Sequence, residues 1–374
     1  MSESVAKLLA GRSICVCAGS GGVGKTTTAA AVATGMAIRG KRVAVLTIDP
    51  AKRLADSLGL DELGNEERRV DLSGISEEPI EAGGELWAMM LDPKATFDDV
   101  VARHAPDEQA KQRILGNRIY QQISGALAGS QEYMAMEKLY EIHERGEYDL
   151  LVLDTPPSRN ALDFLDAPRR LVQFIDGRSL RLFLRPAGIG ARFASRGASV
   201  VFSVLRRVTG LNLIEDLSEF FAATSGMVGG FRERAERVNQ LLADEGTTFL
   251  VICGPAGEPI DEAVYLREKL REGGLPYGGL IVNRVHARPD PEPGTKDLGA
   301  AVREAVGDDD LVDRVLAGVE AARALAERDA ANVEDLIDRT GEPDPILVPE
   351  QPDEVHDLAG LVALGPHLFG EGAG

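Results

Sequence analysis

The feature that most constrains this chain is the run from Val16 to Ala33, VCAGSGGVGKTTTAAAVA. Within it Gly19, Ser20, Gly21, Gly22, Val23, Gly24, Lys25 and Thr26 fit the pattern GxxxxGK[ST], and Thr27 follows directly. An apolar run, Ser13–Ala18, leads into the loop, and an alanine-rich helical pattern leads out of it. Strand, glycine loop and helix in that order is the setting in which the pattern holds phosphate. Glycines allow backbone dihedrals that turn successive N–H groups inward on an anion. The helix that opens at the loop adds the positive end of its dipole. In such a loop Lys25 reaches the outer phosphates of a nucleotide and the Thr26 hydroxyl ligates Mg²⁺.

Further apolar runs recur at Arg42–Ile48, Leu86–Leu91, Asp149–Asp154, Thr247–Cys253, Gly278–Asn283 and Pro345–Val348. They alternate with helical patterns and show little polar alternation, as strands buried on both faces do. The prediction is an α/β fold: a P-loop NTPase with a mainly parallel, doubly wound sheet. Lys94–Arg145 and Pro168–Ala243 break the rhythm with helical patterns alone, which predicts an inserted helical subdomain. The body then comprises residues 1–93, 146–167 and 244–374, and the subdomain 94–145 and 168–243. Asn65–Gly84, acidic and glycine-containing, reads as a loop or linker.

A phosphate loop needs an acid for its metal, and LLVLDTPP supplies Asp154 at the end of an apolar strand. The alternative for Asp154 is a strand-end turn with Pro156 and Pro157. Asp49, in VLTIDPAKRLADSLG, also ends a predicted strand. A carboxylate there positions or deprotonates an attacking water, or it caps a helix at Lys52–Leu58; spacing alone leaves both open.

Composition removes other classes. A formal charge of −19 argues against duplex nucleic acid as a partner, because phosphate contacts need clustered Lys and Arg. Cys15, Cys17 and Cys253 lie in predicted strands with neither disulfide nor zinc spacing. The N-terminal residues MSESVAKLLAGRS lack the basic start and apolar core of a signal peptide. No segment reaches the roughly 20 uncharged apolar residues of a bilayer span. The expectation is a cytoplasmic protein, membrane-peripheral at most. From Arg169 to Arg207 nine arginines face one acid, Asp176, with apolar residues interleaved. That stretch reads either as a surface for an apolar or anionic client or as a bundle offsetting the acidic body.

Three segments together resemble the family of arsenical pump ATPases and tail-anchored-protein targeting ATPases, in its actinobacterial branch. The glycine loop, TIDPAKRLADSLG and LVLDTPPSRNALDFLDAP resemble its P-loop and two switches, in order. GGLIVNRV resembles the strand whose asparagine contacts adenine, here Asn283, and ILVPEQPDEVHDLAGL the segment flanking the base near Pro349. The resemblance implies ATP with Mg²⁺, a dimer, a helical region that binds a client, and a water-orienting role for Asp49 beside Lys25. Absence of the N-K-x-D sequence also favours ATP over GTP. The chain departs from the family in having no CxxC pair for a zinc clamp and only Met227 within its second helical stretch.

Ser20 is the sharpest departure. The family's loop, G-K-G-G-x-G-K-T, carries a lysine there that crosses a dimer interface to the partner's phosphates. A hydroxyl on one carbon is too short and uncharged. Three accounts compete: a heterodimer with a lysine-bearing paralogue, Lys52, Arg53 or Arg159 in the switches supplying the charge, or a slowly hydrolysing switch; the plain alternative is that the substitution is tolerated with full activity. A chromosome-partitioning or septum-positioning ATPase and a non-hydrolysing regulatory subunit are the other classes in view.

Overall fold

Strands that are apolar on both faces need helices above and below them, and this chain builds both layers. The computed structural model describes residues 4–49, 53–73, 81–123, 130–155, 228–289, 298–306 and 308–370. Eight strands form one sheet: β1 (Ile14–Gly19), β2 (Arg42–Thr47), β3 (Arg68–Val70), β4 (Glu85–Met90), β5 (Leu150–Asp154), β6 (Thr247–Cys253), β7 (Tyr277–Val285) and β8 (Ile346–Pro349). Their order is β3-β4-β2-β5-β1-β6-β7-β8. All neighbours pair in parallel except β3, which runs antiparallel to β4 at the edge.

Side-chain alternation along each strand sorts the core into two layers. One face, with Cys15, Cys17, Val43, Val45, Leu150, Val152, Leu250 and Ile252, packs on the helix Lys25–Ile38 that leaves the phosphate loop. That helix is buried nearly all round, and its alanines let it lie close to the sheet. Gly35 abuts the ring of Phe369, so the last helix, Gly365–Phe369, closes over it. The opposite face, with Ile14, Val16, Leu46, Leu151, Leu153 and Val251, packs on the helices Pro93–His104, Ser130–Arg145, Val228–Ala243 and Glu258–Glu272.

All seven apolar runs read from the sequence are strands, with ends shifted by two residues at most. The three cysteines are buried within β1 and β6. Lys94–Arg145 is helical where described: Pro93–His104, Glu108–Gly116, Arg118–Ile123 and Ser130–Arg145. Asn65–Gly84 needs correction, because it contains β3. That strand is three residues long, Arg68 and Arg69 are exposed, and an edge position tolerates such polarity where a central strand does not. The basic stretch Arg169–Arg207 and the second switch beyond Thr155 lie outside the described residues. Among the described residues no helix is long and apolar enough to cross a membrane.

Because β1, β2, β5, β6 and β7 are parallel, their carboxyl ends share one edge of the sheet. Chain order reverses beside β1, and ligands of open α/β sheets settle in the crevice at such a reversal. The phosphate loop leaves β1 at that point.

Candidate active site

The loop's shape is fixed by glycines where nothing else fits. Gly22 and Gly24 hold φ of 78° and 84°, the left-handed region that side chains avoid. A Cβ on Gly19 would stand 1.9 Å from the backbone oxygen of Ile252 on β6, so β1 and β6 meet too closely for any other residue. Val23 is buried and pins the loop to the helix-side core. Gly21 and Gly22 are exposed at the tip, and Thr27 is half-buried in the first turn of the helix.

Lys25 opens that helix and folds back, its Nζ donating to the Ser20 backbone oxygen at 2.7 Å. Burial lowers the ammonium's pKa, opposed by the charges of Asp154 and then Asp49. Both acids therefore lie near enough to act on it. The Ser20 side chain is buried, and its Oγ has no hydrogen-bond partner among the described residues.

Asp154 ends β5 with only 1% of its surface exposed. Its Oδ2 accepts from Thr26 Oγ1 at 2.7 Å and from Thr47 Oγ1 at 2.9 Å. Its Oδ1 is buried with no partner among the described residues. Burial pushes the carboxyl up to about 6, although the two threonine hydrogen bonds and Lys25 pull the other way; the charge of Asp49 adds to the rise. A buried carboxylate with one unmatched oxygen, beside a hydroxyl from the phosphate loop, suits a hard divalent cation that keeps oxygen ligands. Thr26 and Asp154 are the residues that fit Mg²⁺.

Asp49 lies two residues beyond β2, and its backbone N–H donates to Thr47 Oγ1 at 3.2 Å. The structure thus gathers Lys25, Thr26, Asp49 and Asp154 at one edge of the sheet. Thr47, which joins the two acids, was missed by the motif reading. Its only signal was a lone polar residue closing the apolar run RVAVLT.

Asn283 and Pro349 sit on the neighbouring strands. Asn283 Nδ2 donates to the Val23 oxygen at 2.9 Å, tying β7 to the phosphate loop. A Cβ on Gly24 would come within 2.3 Å of that nitrogen. At Arg284 the pairing of β7 with β8 slips, and Arg284 holds φ of 63°. Its Nη1 donates to the Gly22 oxygen at 3.2 Å. Half-buried Pro349 ends β8 opposite Val285, and the Glu350 N–H donates to the Val285 oxygen at 3.0 Å. Of the cations proposed to replace the missing loop lysine, Arg53 is exposed at the start of a short helix, Arg53–Ser57. Lys52 and Arg159 lie outside the described residues.

The profile of the family described as anion-transporting ATPase matches residues 12–297. An ATPase GET3 from Malassezia globosa is 28% identical over 300 residues, covering 78% of this chain and 77% of the relative. An ATPase get3 from Aspergillus terreus is 26% identical, covering 71% of each. An ATPase ASNA1 homolog from Trypanosoma cruzi is 26% identical, covering 74% and 75%. The profile takes in far more than half of the sequence, and on that match this chain belongs to the anion-transporting ATPase family and is an ATPase of the P-loop class.

Proposed function

We propose that the chain is a Mg²⁺-dependent, ATP-driven switch that couples nucleotide state to capture and release of a client. The observation that carries this reading is the hydrogen bond from Thr26 to buried Asp154, with the second carboxylate oxygen unmatched. In this reading the loop's N–H groups and Lys25 cradle the triphosphate, with Lys25 leaving the Ser20 carbonyl for phosphate oxygens. Thr26 and Asp154 would hold magnesium, which when bound would supply charge neutralisation at the phosphates. Asp49 orients the attacking water and accepts its proton. Asn283 and the segment after Pro349 take the base side.

The stretches 94–145 and 168–243, whose sequence patterns are helical, are the client-binding part in this reading, with Arg169–Arg207 offering charge to an anionic or amphipathic partner. Two copies, or this chain and a paralogue, form the working dimer in the cytoplasm. Ser20 favours the paralogue, because a partner that keeps the loop lysine supplies the charge this chain lacks. Asp49→Asn is the direct test. The expected result is loss of ATP turnover with nucleotide affinity retained; equal loss of both overturns the role given to Asp49. Mixing the purified chain with a lysine-bearing paralogue should raise turnover, and brisk turnover alone with no response on mixing removes the heterodimer.

A further inference from the structure

We propose that Thr47 is a positioning residue of the ATPase reaction, a hydroxyl relay that sets Asp49 and Asp154 in one geometry. The inference deepens the function proposed above and rests on its assignment of those two acids.

β2 and β5 pair Val43 with Leu150, Val45 with Val152, and Thr47 with Asp154. Residues in register on parallel strands point to the same face. The first two pairs belong to the apolar layer against the helix Lys25–Ile38. Valine is the residue that continues such a column, being branched, apolar and of threonine's size. Threonine stands there instead, 1% exposed. A buried hydroxyl is unfavourable unless hydrogen-bonded, so its partners reveal its use.

Those partners are the two ends of the site. A hydroxyl has one proton and two lone pairs. The proton goes to Asp154 Oδ2 at 2.9 Å. A lone pair accepts the Asp49 backbone N–H at 3.2 Å. Asp154 Oδ2 also receives Thr26 at 2.7 Å, so the carboxylate is gripped on one oxygen from both sides. That grip fixes the plane of the carboxyl and leaves Oδ1 free for the metal side. The same hydroxyl anchors the backbone from which the Asp49 side chain projects. A shift of Asp154 is therefore felt at Asp49 through one side chain and no intervening loop.

Thr47→Val removes the relay and keeps the volume, and Thr47→Ser keeps the relay and removes a methyl group. Hydrogen exchange of the nucleotide-free full-length chain reads the link directly, without nucleotide or metal. The Asp49 amide should exchange about fivefold to tenfold faster in Thr47→Val, the effect of one lost hydrogen bond, and near the wild-type rate in Thr47→Ser. Steady-state turnover should show kcat down about tenfold in Thr47→Val. KM for ATP and affinity for ADP in EDTA should stay within about twofold, because no nucleotide contact is removed. Thr47→Ser should recover kcat. A Thr47→Val protein that folds normally with exchange and kcat unchanged overturns the proposal. So does a Thr47→Ser protein as slow as Thr47→Val, since that assigns the effect to methyl packing. Asp49→Asn run alongside separates the two levels. An inactive Asp49→Asn with a fully active Thr47→Val defeats the relay alone; a fully active Asp49→Asn defeats the assignment of Asp49 and the relay with it.

Discussion

Gly24→Ala perturbs the hinge between the phosphate loop and β7, and its cost divides into separable parts. Gly24 sits at φ of 84°, where a residue with a Cβ costs about 1–2 kcal/mol. The new Cβ would also stand 2.3 Å from Asn283 Nδ2. That nitrogen ends a side chain that can turn away, but turning forfeits its 2.9 Å bond to the Val23 oxygen, worth about 1 kcal/mol. Alanine's smaller freedom in the unfolded chain returns a few tenths, so the total is about 2 kcal/mol. Asn283→Ala alone should cost about 1 kcal/mol, the same hydrogen bond. In the double variant that bond is lost only once, so the two costs should fall short of additivity by about 1 kcal/mol. Guanidinium unfolding of the four proteins, followed by circular dichroism, measures the cycle. Strict additivity would mean that Asn283 does not abut Gly24 in solution and would overturn this prediction.

Buried charge has further measurable consequences. Asp154, pushed up to about 6 by burial, lies above the value of about 3.9 for an unfolded aspartate. Protonation therefore stabilises the nucleotide-free fold fully below about pH 4, and this contribution is lost as pH rises through about 6. Magnesium needs the ionised form, so the magnesium-dependent gain in nucleotide affinity should shrink as pH falls below about 6; calorimetry from about pH 5 to 8, with EDTA as baseline, checks the sign. Arg234 Nε lies 2.5 Å from Glu137 Oε1, and Glu137 is 1% exposed. Arg234→Ala should cost about 3 kcal/mol at neutral pH by stranding that carboxylate. Burial raises the Glu137 pKa against the pull of Arg234, so the loss should shrink in acid as Glu137 takes up a proton; denaturation at two pH values tests this.

How far the molecule could be read from its residues depends on where the signal was local. The loop, its strand and its helix are contiguous, and Gly22 and Gly24 have a local backbone reason in their left-handed φ. Asp154 and Asp49 were legible because buried parallel strands end in the same crevice. Thr47 was not, since its importance comes from a register partner more than 100 positions away in the chain. β3 was hidden for a different reason: Arg68 and Arg69 carry no apolar pattern, and the strand exists only because β4 offers an edge. The tie from Asn283 to Val23 spans 260 positions, so resemblance could name Asn283 while only the fold showed what it touches.

In the proposed function Lys25, Thr26 and Asp154 hold a nucleotide's phosphates through magnesium. The most direct test is calorimetric titration of the full-length chain with a non-hydrolysable ATP analogue, first with magnesium and then with EDTA. Tight binding that weakens at least about tenfold on removing the metal, and loses this difference in Asp154→Asn, is the expected result. Binding indifferent to magnesium, or no binding in either buffer, would contradict it.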